Sequence, residues 1–251
     1  MQSSVLQTAL AHRSIRKFKP QAIAADTLRS VLSAGQAASS SSFMQIVSLI
    51  RVTDPAIRAQ IRPICAAGGK GGQSYVETAP EFIVFCADTT RYAHFAPDAQ
   101  LDWTEVLLIG AVDVGIFAQN VLLAAESMGL GGVFIGSIRN DLARVGELLG
   151  CPQGVVPIVG LCLGFPDQNP MRRERLPLNA ILSENRFQAL LPICKPTTTT
   201  CKPITARAMA WRKWTGRNKS ATNFAVKCAP ICCAICKRKA LPNANAHNKA
   251  A

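Results

Sequence analysis

Residues 102–136 read DWTEVLLIGAVDVGIFAQNVLLAAESMGLGGVFIG. From about 102 to 128 the pattern is one long helix, mostly apolar and closed by Gly129. A helix that is hydrophobic nearly all round belongs in a core or at a subunit interface. Its longest apolar stretch, about 106–125, is interrupted by Asp113, Gln119 and Asn120 and flanked by Glu105 and Glu126. Those polar groups favour a buried helix over a membrane span. Residues 132–136 then read as a short strand.

Working outward, residues 25–38 form a helical pattern with Asp26 as N-cap and Leu28, Val31, Leu32 and Gly35 on one face. Residues 45–52 are a strand candidate. Asp54-Pro55 opens a short helix, with Pro at its first position. Gly68-Gly69-Lys70-Gly71-Gly72-Gln73 is a flexible loop. Residues 81–87 (EFIVFCA) are a buried strand by their β-branched and aromatic content. A helix over 140–149 and a strand over 155–164 follow. Strands are few and short, and one helix dominates. The fold class expected is α+β, a sandwich around a central helix in place of a doubly wound sheet.

The 251 residues can bury a full core. A formal charge of +13 invites a nucleic-acid reading. Its distribution argues against one. Residues 192–251 hold twelve of the 28 Lys and Arg and none of the 15 Asp and Glu, so 16 basic and 15 acidic residues precede them. The body is near neutral. Six of the ten cysteines lie in the same last stretch. The other four, Cys65, Cys86, Cys151 and Cys162, fit neither a metal site nor a disulfide framework, and read as free thiols in a reducing cytosol. The N-terminus lacks the basic region and apolar core of a secretory signal. A cytoplasmic protein with no membrane segment is expected.

Three clusters bear on chemistry. His12-Arg13-Ser14-Ile15-Arg16 sets two guanidinium groups, a hydroxyl and an imidazole within five residues. Arg offers forked, permanently charged donors suited to a phosphate, although a solvated basic turn has the same composition. Ser39-Ser40-Ser41-Ser42-Phe43, alone, reads first as a loop. Arg172-Arg173-Glu174-Arg175 places Arg173 and Arg175 on one side of an extended segment, where both can face one phosphate or simply water. Gly129-Leu130-Gly131-Gly132 fails as a dinucleotide fingerprint, because it follows a helix and enters a strand. The body has no paired carboxylates, nucleophile–His pair or metal-spaced His/Cys set. The only histidines are His12, His94 and His247. If the chain is an enzyme, a bound cofactor carries the chemistry.

Taken in order, the stretches HRSIR (12–16), SSSSF (39–43), GGQ (71–73), FCAD (85–88), PDAQ (97–100), GLGGVFIG (129–136), GLCLG (160–164) and RLP (175–177) resemble the flavin-dependent nitroreductase family. The resemblance is to its NADPH nitroreductase and NADPH–flavin oxidoreductase branch, and it covers about residues 10–190. It implies an FMN-binding α+β fold, with a mixed central sheet flanked by helices and a homodimer holding FMN at the subunit interface. It also implies that His12, Arg13, Ser14, Arg16 and Ser40 contact the flavin or its ribityl phosphate. Gln73 lies near the isoalloxazine, and Phe134, Ile135, Gly136 and Ser137 pass along a ring edge. Arg175 matches the family's phosphate-binding Arg. Arg173 stands where Lys is usual, and Ser137 where Gly is common. The implied reaction is ping-pong, with NADPH as reductant and a nitroaromatic, a quinone or free flavin as the small-molecule acceptor. No side chain need act as acid or base.

The family pattern stops near Leu191, giving an expected division into a 1–190 FMN-binding domain and an aberrant 191–251 tail. Where the family continues with an acidic, aromatic helical segment, this chain has TTTTCKPIT at 197–205. Thr codons read one nucleotide earlier give Tyr, His, Asn or Asp, and Tyr-Asp-x-Asn-Leu-Gln-Ala-Tyr-Tyr is an allowed reading of the shifted frame. The hypothesis is that residues from about 191 onward are a frameshift product, through a lesion or an error in reading the gene. Resequencing that finds one intact frame and no family-like alternative would sink it. Zinc binding by Cys228, Cys232, Cys233 and Cys236 lacks a second spaced pair. Nucleic-acid binding by the basic tail lacks patterned aromatics. A catalytically impaired flavin-binding relic is the remaining alternative.

Overall fold

The computed structural model describes residues 4–66 and 71–188, so the tail and Gly68, Gly69 and Lys70 lie outside the described residues. Four strands form one sheet: β1 (Val47–Arg51), β2 (Glu81–Asp88), β3 (Gly131–Ile135) and β4 (Val155–Gly164), in the order β1-β2-β4-β3. All three ladders are antiparallel. Of the mixed sheet expected, only antiparallel pairings occur among the described residues. β2 is central and buried at all eight positions, which is why it reads as a continuous apolar run rather than an alternating one.

Seven α-helices surround the sheet among these residues: α1 (Ser4–Ala11), α2 (Ala25–Gln36), α3 (Pro55–Ile64), α4 (Tyr75–Thr78), α5 (Thr90–Phe95), α6 (Thr104–Ser127) and α7 (Leu142–Leu148). Strand alternation divides the core in two. Ile83 and Phe85 face α2 and α6, packing with Leu28, Val31, Val114, Val121 and Leu122. Phe82, Val84 and Cys86 face the other way, against Ile61 of α3, Val76 of α4 and Val145 of α7. The result is helix–sheet–helix layering. Each fully buried Phe on β2 contributes roughly 2–3 kcal/mol by burial, and Phe85 adds an edge-to-face contact with Phe117 at 6.0 Å.

The long helix is half core and half surface. Gly110, Asp113, Val114, Ala118, Val121, Leu122 and Ala125 are buried, whereas Leu108, Val112 and Ile116, spaced four apart, are exposed. Glycines let it pack closely. A Cβ on Gly35 of α2 would sit 2.4 Å from Val121 Cγ2. After Ser127 the chain turns at Gly129, with φ +79°, and Leu130 N–H donates to Ala125 O at 3.0 Å. That is a Schellman-type stop. By length and composition α6 alone among the described helices passes for a membrane span. The same test is met by the core helix of a folded domain.

Some boundaries differ from the sequence expectation. α2 begins one residue before Asp26, with Ala24 ahead of it and no side-chain cap. Asp26 instead sits in the first turn, where its charge favours the helix dipole. Asp54 does cap α3, accepting from Ala56 N at 2.7 Å. The 140–149 helix is split: a 3-10 segment, Gly136–Asp141, leads to α7, capped by the Asp141 carboxylate accepting from Arg144 N. A helix not expected from the sequence, α1, precedes His12 to Arg16.

Candidate functional site

The basic run after α1 has no regular secondary structure but is pinned on both sides. Ile15 N–H donates to Gly132 O at 2.9 Å, and the Ile15 side chain is buried. Gly131 must lack a Cβ, because one would lie 2.5 Å from Ile15 Cγ1. Ile15 is turned inward, whereas Ser14 is part-exposed and Arg16 exposed. On the far side Lys19 N donates to Phe165 O and Asp167 N to Lys17 O, and Phe18 bridges Pro166. Arg13 Nη1 donates to Asn169 Oδ1 and Pro170 O, and Arg172 Nη1 donates to Leu10 O at 3.0 Å. The basic segment 172–175 is thereby laid beside the basic segment 12–16.

Within this assembly the cations divide by task. Arg13 and Arg172 tie the two segments together. Arg16, Arg173 and Arg175 are exposed; Arg16 Nη1 donates to Ser14 O at 3.4 Å and Arg175 Nη1 to Arg173 O at 3.0 Å. His12 is half-buried and its Nδ1 meets Glu126 Oε1, near the end of α6, at 2.6 Å.

A second set meets the first at the end of β3. Tyr75 OH donates to Gln73 Oε1 at 2.6 Å, Gln73 Nε2 donates to Ser137 Oγ at 2.9 Å, and Ser137 Oγ donates to Cys65 O at 3.4 Å. Each donor in this chain finds an acceptor, so the Gln73 amide is held in one orientation. Burial pushes the Tyr75 phenol up, while a hydrogen bond from Arg16 pulls it down, which links the basic run to this network. Burial also pushes the Cys65 thiol up to about 11, against a hydrogen bond with Ser137. Thus Arg16, Gln73 and Ser137 belong to one network, completed by Tyr75, which the sequence reading missed although it lies two residues past Gln73.

The loop before Gln73 requires its glycines. Gly72 has φ +73°, and a Cβ there would fall 1.9 Å from Arg62 O. Along the ring edge expected at 134–137, Phe134 is half-buried against the α2/α6 core and Ile135 is fully buried in the other. Ile135 can therefore offer only its backbone, while Gly136 and Ser137 are part-exposed.

Ser40 stands apart. Its hydroxyl donates to Asp113 Oδ2 at 2.8 Å and accepts from Gln45 N at 2.7 Å. It lines a groove of about 1080 Å³ beside α2, β1 and α5, shared with Asp113, Phe43 and Phe117. His12 and Arg13 line a different hollow of about 440 Å³ with Glu126, Gln168 and Asn169. The two hollows have no lining residue in common.

A model of the nitroreductase family matches residues 9–165. The chain belongs to the nitroreductase family. It is 52% identical over 188 residues to the NADPH-flavin oxidoreductase of Vibrio harveyi, covering 75% of this chain and 76% of that one. It is 45% identical over 188 residues to the oxygen-insensitive NADPH nitroreductase of Salmonella typhimurium, with the same coverage. Among solved structures, nitroreductase A from Vibrio parahaemolyticus matches with TM-score 0.73 at 44% identity, over 91% of this chain and 93% of that one. The NADPH:FMN oxidoreductase from Vibrio harveyi, complexed with NAD+, matches with TM-score 0.75 at 42% identity, over 89% and 97%. The α+β architecture is thus that of the nitroreductase family, and the chain is an oxidoreductase of that kind.

Proposed function

We propose that this nitroreductase-family protein binds FMN and uses NADPH to reduce nitroaromatics, quinones or free flavin. The observation that carries this reading is the continuous network from Arg16 through Tyr75 and Gln73 to Ser137, with Arg173 and Arg175 exposed on the segment laid beside it. The donor set fits FMN. Three unburied guanidinium groups suit a phosphate dianion, and amide and hydroxyl groups suit the polar edge of a flat heterocycle. Part-exposed backbone at Gly136 and Ser137 allows close approach to a ring edge.

FMN held by these residues would supply the two-electron chemistry between NADPH and the second substrate, which the ping-pong reading requires. The chain's own part is binding and polarity. Arg16, Arg173 and Arg175 neutralise the phosphate, and Gln73, held by Tyr75 and Ser137, presents a fixed amide. Ser14 is part-exposed beside the exposed Arg16, and His12 is held next to them by its contact with Glu126.

The active form in this reading is a homodimer with FMN between subunits. The exposed stripe Leu108, Val112 and Ile116, with open space beside Gly115, supports a close helix contact between copies. The separation of Ser40 from the His12 side supports it too, since a second copy can bring its Ser40 to the first copy's site. Free Cys65, Cys86, Cys151 and Cys162 favour the cytoplasm. No nucleic-acid or membrane partner enters this reading.

The experiment is comparative binding of FMN and riboflavin to the apoprotein, followed by fluorescence. Replacing Arg173 and Arg175 with Ala weakens FMN about tenfold or more while leaving riboflavin nearly unchanged. Equal loss for both ligands refutes the phosphate assignment. The departure of the sequence after 191 favours a second reading, a relic that binds FMN without turnover. Such a protein is yellow and is not bleached by NADPH.

A further inference from the structure

Glu126 is a carboxylate in an unfavourable place. It sits in the last turn of α6, where aligned peptide dipoles leave partial negative charge and a cation is the preferred neighbour. Its side chain is only 11% exposed, so water offsets little of that cost. The helix end is closed without it. Met128 N–H donates to Ala125 O, Gly129 N–H to Glu126 O and Leu130 N–H to Ala125 O, all through backbone atoms. Among the described residues, the Glu126 carboxylate has one hydrogen-bond partner, His12, whose Nδ1 lies 2.6 Å from Oε1.

The end of α6 and the start of β3 together hold the basic run at two points. Gly132 O takes the Ile15 N–H at 2.9 Å, and Glu126 takes the imidazole three positions earlier. The His12 N–H donates to Ala9 O at 3.4 Å, at the end of α1, so the backbone is fixed on both sides of the ring. What remains free is the side-chain torsion, and the carboxylate sets it.

We propose that Glu126 is a positioning residue for the flavin site, holding His12 by Nδ1 so that Nε2 meets FMN. An ionised carboxylate only accepts hydrogen bonds, so the proton lies on Nδ1 and the opposite edge of the ring is left for the ligand. The inference rests on the FMN reading above and goes beyond it, because Glu126 acts only through the ring. Without the carboxylate the imidazole samples several rotamers, and FMN must select one of them at an entropic cost.

The test is FMN titration of the full-length apoprotein in a set of variants, with urea denaturation of each beside it. Glu126→Ala weakens FMN about fivefold, the cost of immobilising one side chain. Glu126→Gln keeps an acceptor oxygen for Nδ1 and recovers most of that loss. In the His12→Ala background, Glu126→Ala causes no further loss. His12→Asn separates positioning from simple stapling of the run to α6. Its amide nitrogen replaces Nδ1 and keeps the bond to Glu126, but it has no second ring nitrogen. It therefore loses FMN as His12→Ala does, while its urea midpoint stays near that of the unaltered chain. Four results would overturn the proposal: full affinity in Glu126→Ala, equal losses in Glu126→Gln and Glu126→Ala, a further loss from Glu126→Ala in the His12→Ala background, or full affinity in His12→Asn. Any of these with FMN bound by the unaltered chain refutes the positioning role alone. An unaltered chain that takes up no FMN refutes the flavin reading and the positioning role together.

Discussion

The Asp113 carboxylate, buried within an otherwise apolar helix, accepts the hydroxyl of Ser40 at 2.8 Å across 73 residues of sequence. It also takes Ser41 Oγ at 2.8 Å and Ser41 N at 3.0 and 3.1 Å, so both oxygens are satisfied. A buried carboxylate is tolerated only when it is so paired. The relationship makes Ser40 a structural anchor as well as a candidate ligand. It fixes a loop in which Ser42, Phe43 and Gln45 all have φ near +50°. Asp113→Asn keeps the size and loses the charge, and a cost of about 2 kcal/mol in unfolding free energy is expected. Ser40→Ala costs about 1 kcal/mol. Chemical denaturation checks both, and a neutral Asp113→Asn would refute the anchoring role.

Asp88 makes the acid limb of stability predictable. Burial alone pushes its carboxyl up, but hydrogen bonds from Ser48 and Thr90 and the charge of Arg91 together hold it below the ordinary 3.8. A depressed folded value means the ionised form is favoured by folding. Its contribution is therefore full above the ordinary carboxylate value and is lost as pH falls below it. Asp88→Asn lowers stability at neutral pH and flattens the decline below about pH 4. Melting temperatures across that range decide it, and an unchanged acid limb contradicts the assignment.

Gly72 and Tyr75 support Gln73 from opposite sides. Gly72→Ala adds a Cβ that meets Arg62 O at 1.9 Å in a left-handed conformation. Displacement of the loop, about 2 kcal/mol of lost stability and weaker FMN binding should appear together. Tyr75→Phe leaves Gln73 Oε1 without its donor, and FMN dissociation should rise about fivefold, corresponding to about 1 kcal/mol. Flavin titration that finds no change in either variant removes Gln73 from the site.

The outward stripe of α6 supplies the dimer test. Val112→Arg puts a charge in the middle of that exposed apolar stripe. Sedimentation should show the mass falling from two chains to one, with the helix content kept. A chain that is monomeric without the substitution contradicts the interface.

What was legible in the sequence follows from where the information is local. β4 matched its expected span at 155–164 because Gly154 and Gly164 bracket one apolar run. Asp54-Pro55 marked α3 because cap and first-turn chemistry are sequential. α1 was missed because none of its residues is buried, so it carries no core-facing pattern. Asp26 misplaced the start of α2 because a carboxylate in the first turn resembles one at the cap. The Ser40–Asp113 and His12–Glu126 pairs were invisible, since each joins segments far apart in sequence. Asp113 was noticed only as a break in an apolar stretch. Of the candidate site, the motifs named Arg16, Gln73 and Ser137, but only the fold joins them through Tyr75.

The most direct measurement is the anaerobic absorbance spectrum of the purified full chain before and after NADPH. A site built on Arg16, Gln73, Ser137 and the 173–175 arginines predicts flavin bands, cofactor released as FMN on unfolding, and bleaching when NADPH is added. A colourless chain that takes up no added FMN contradicts the account.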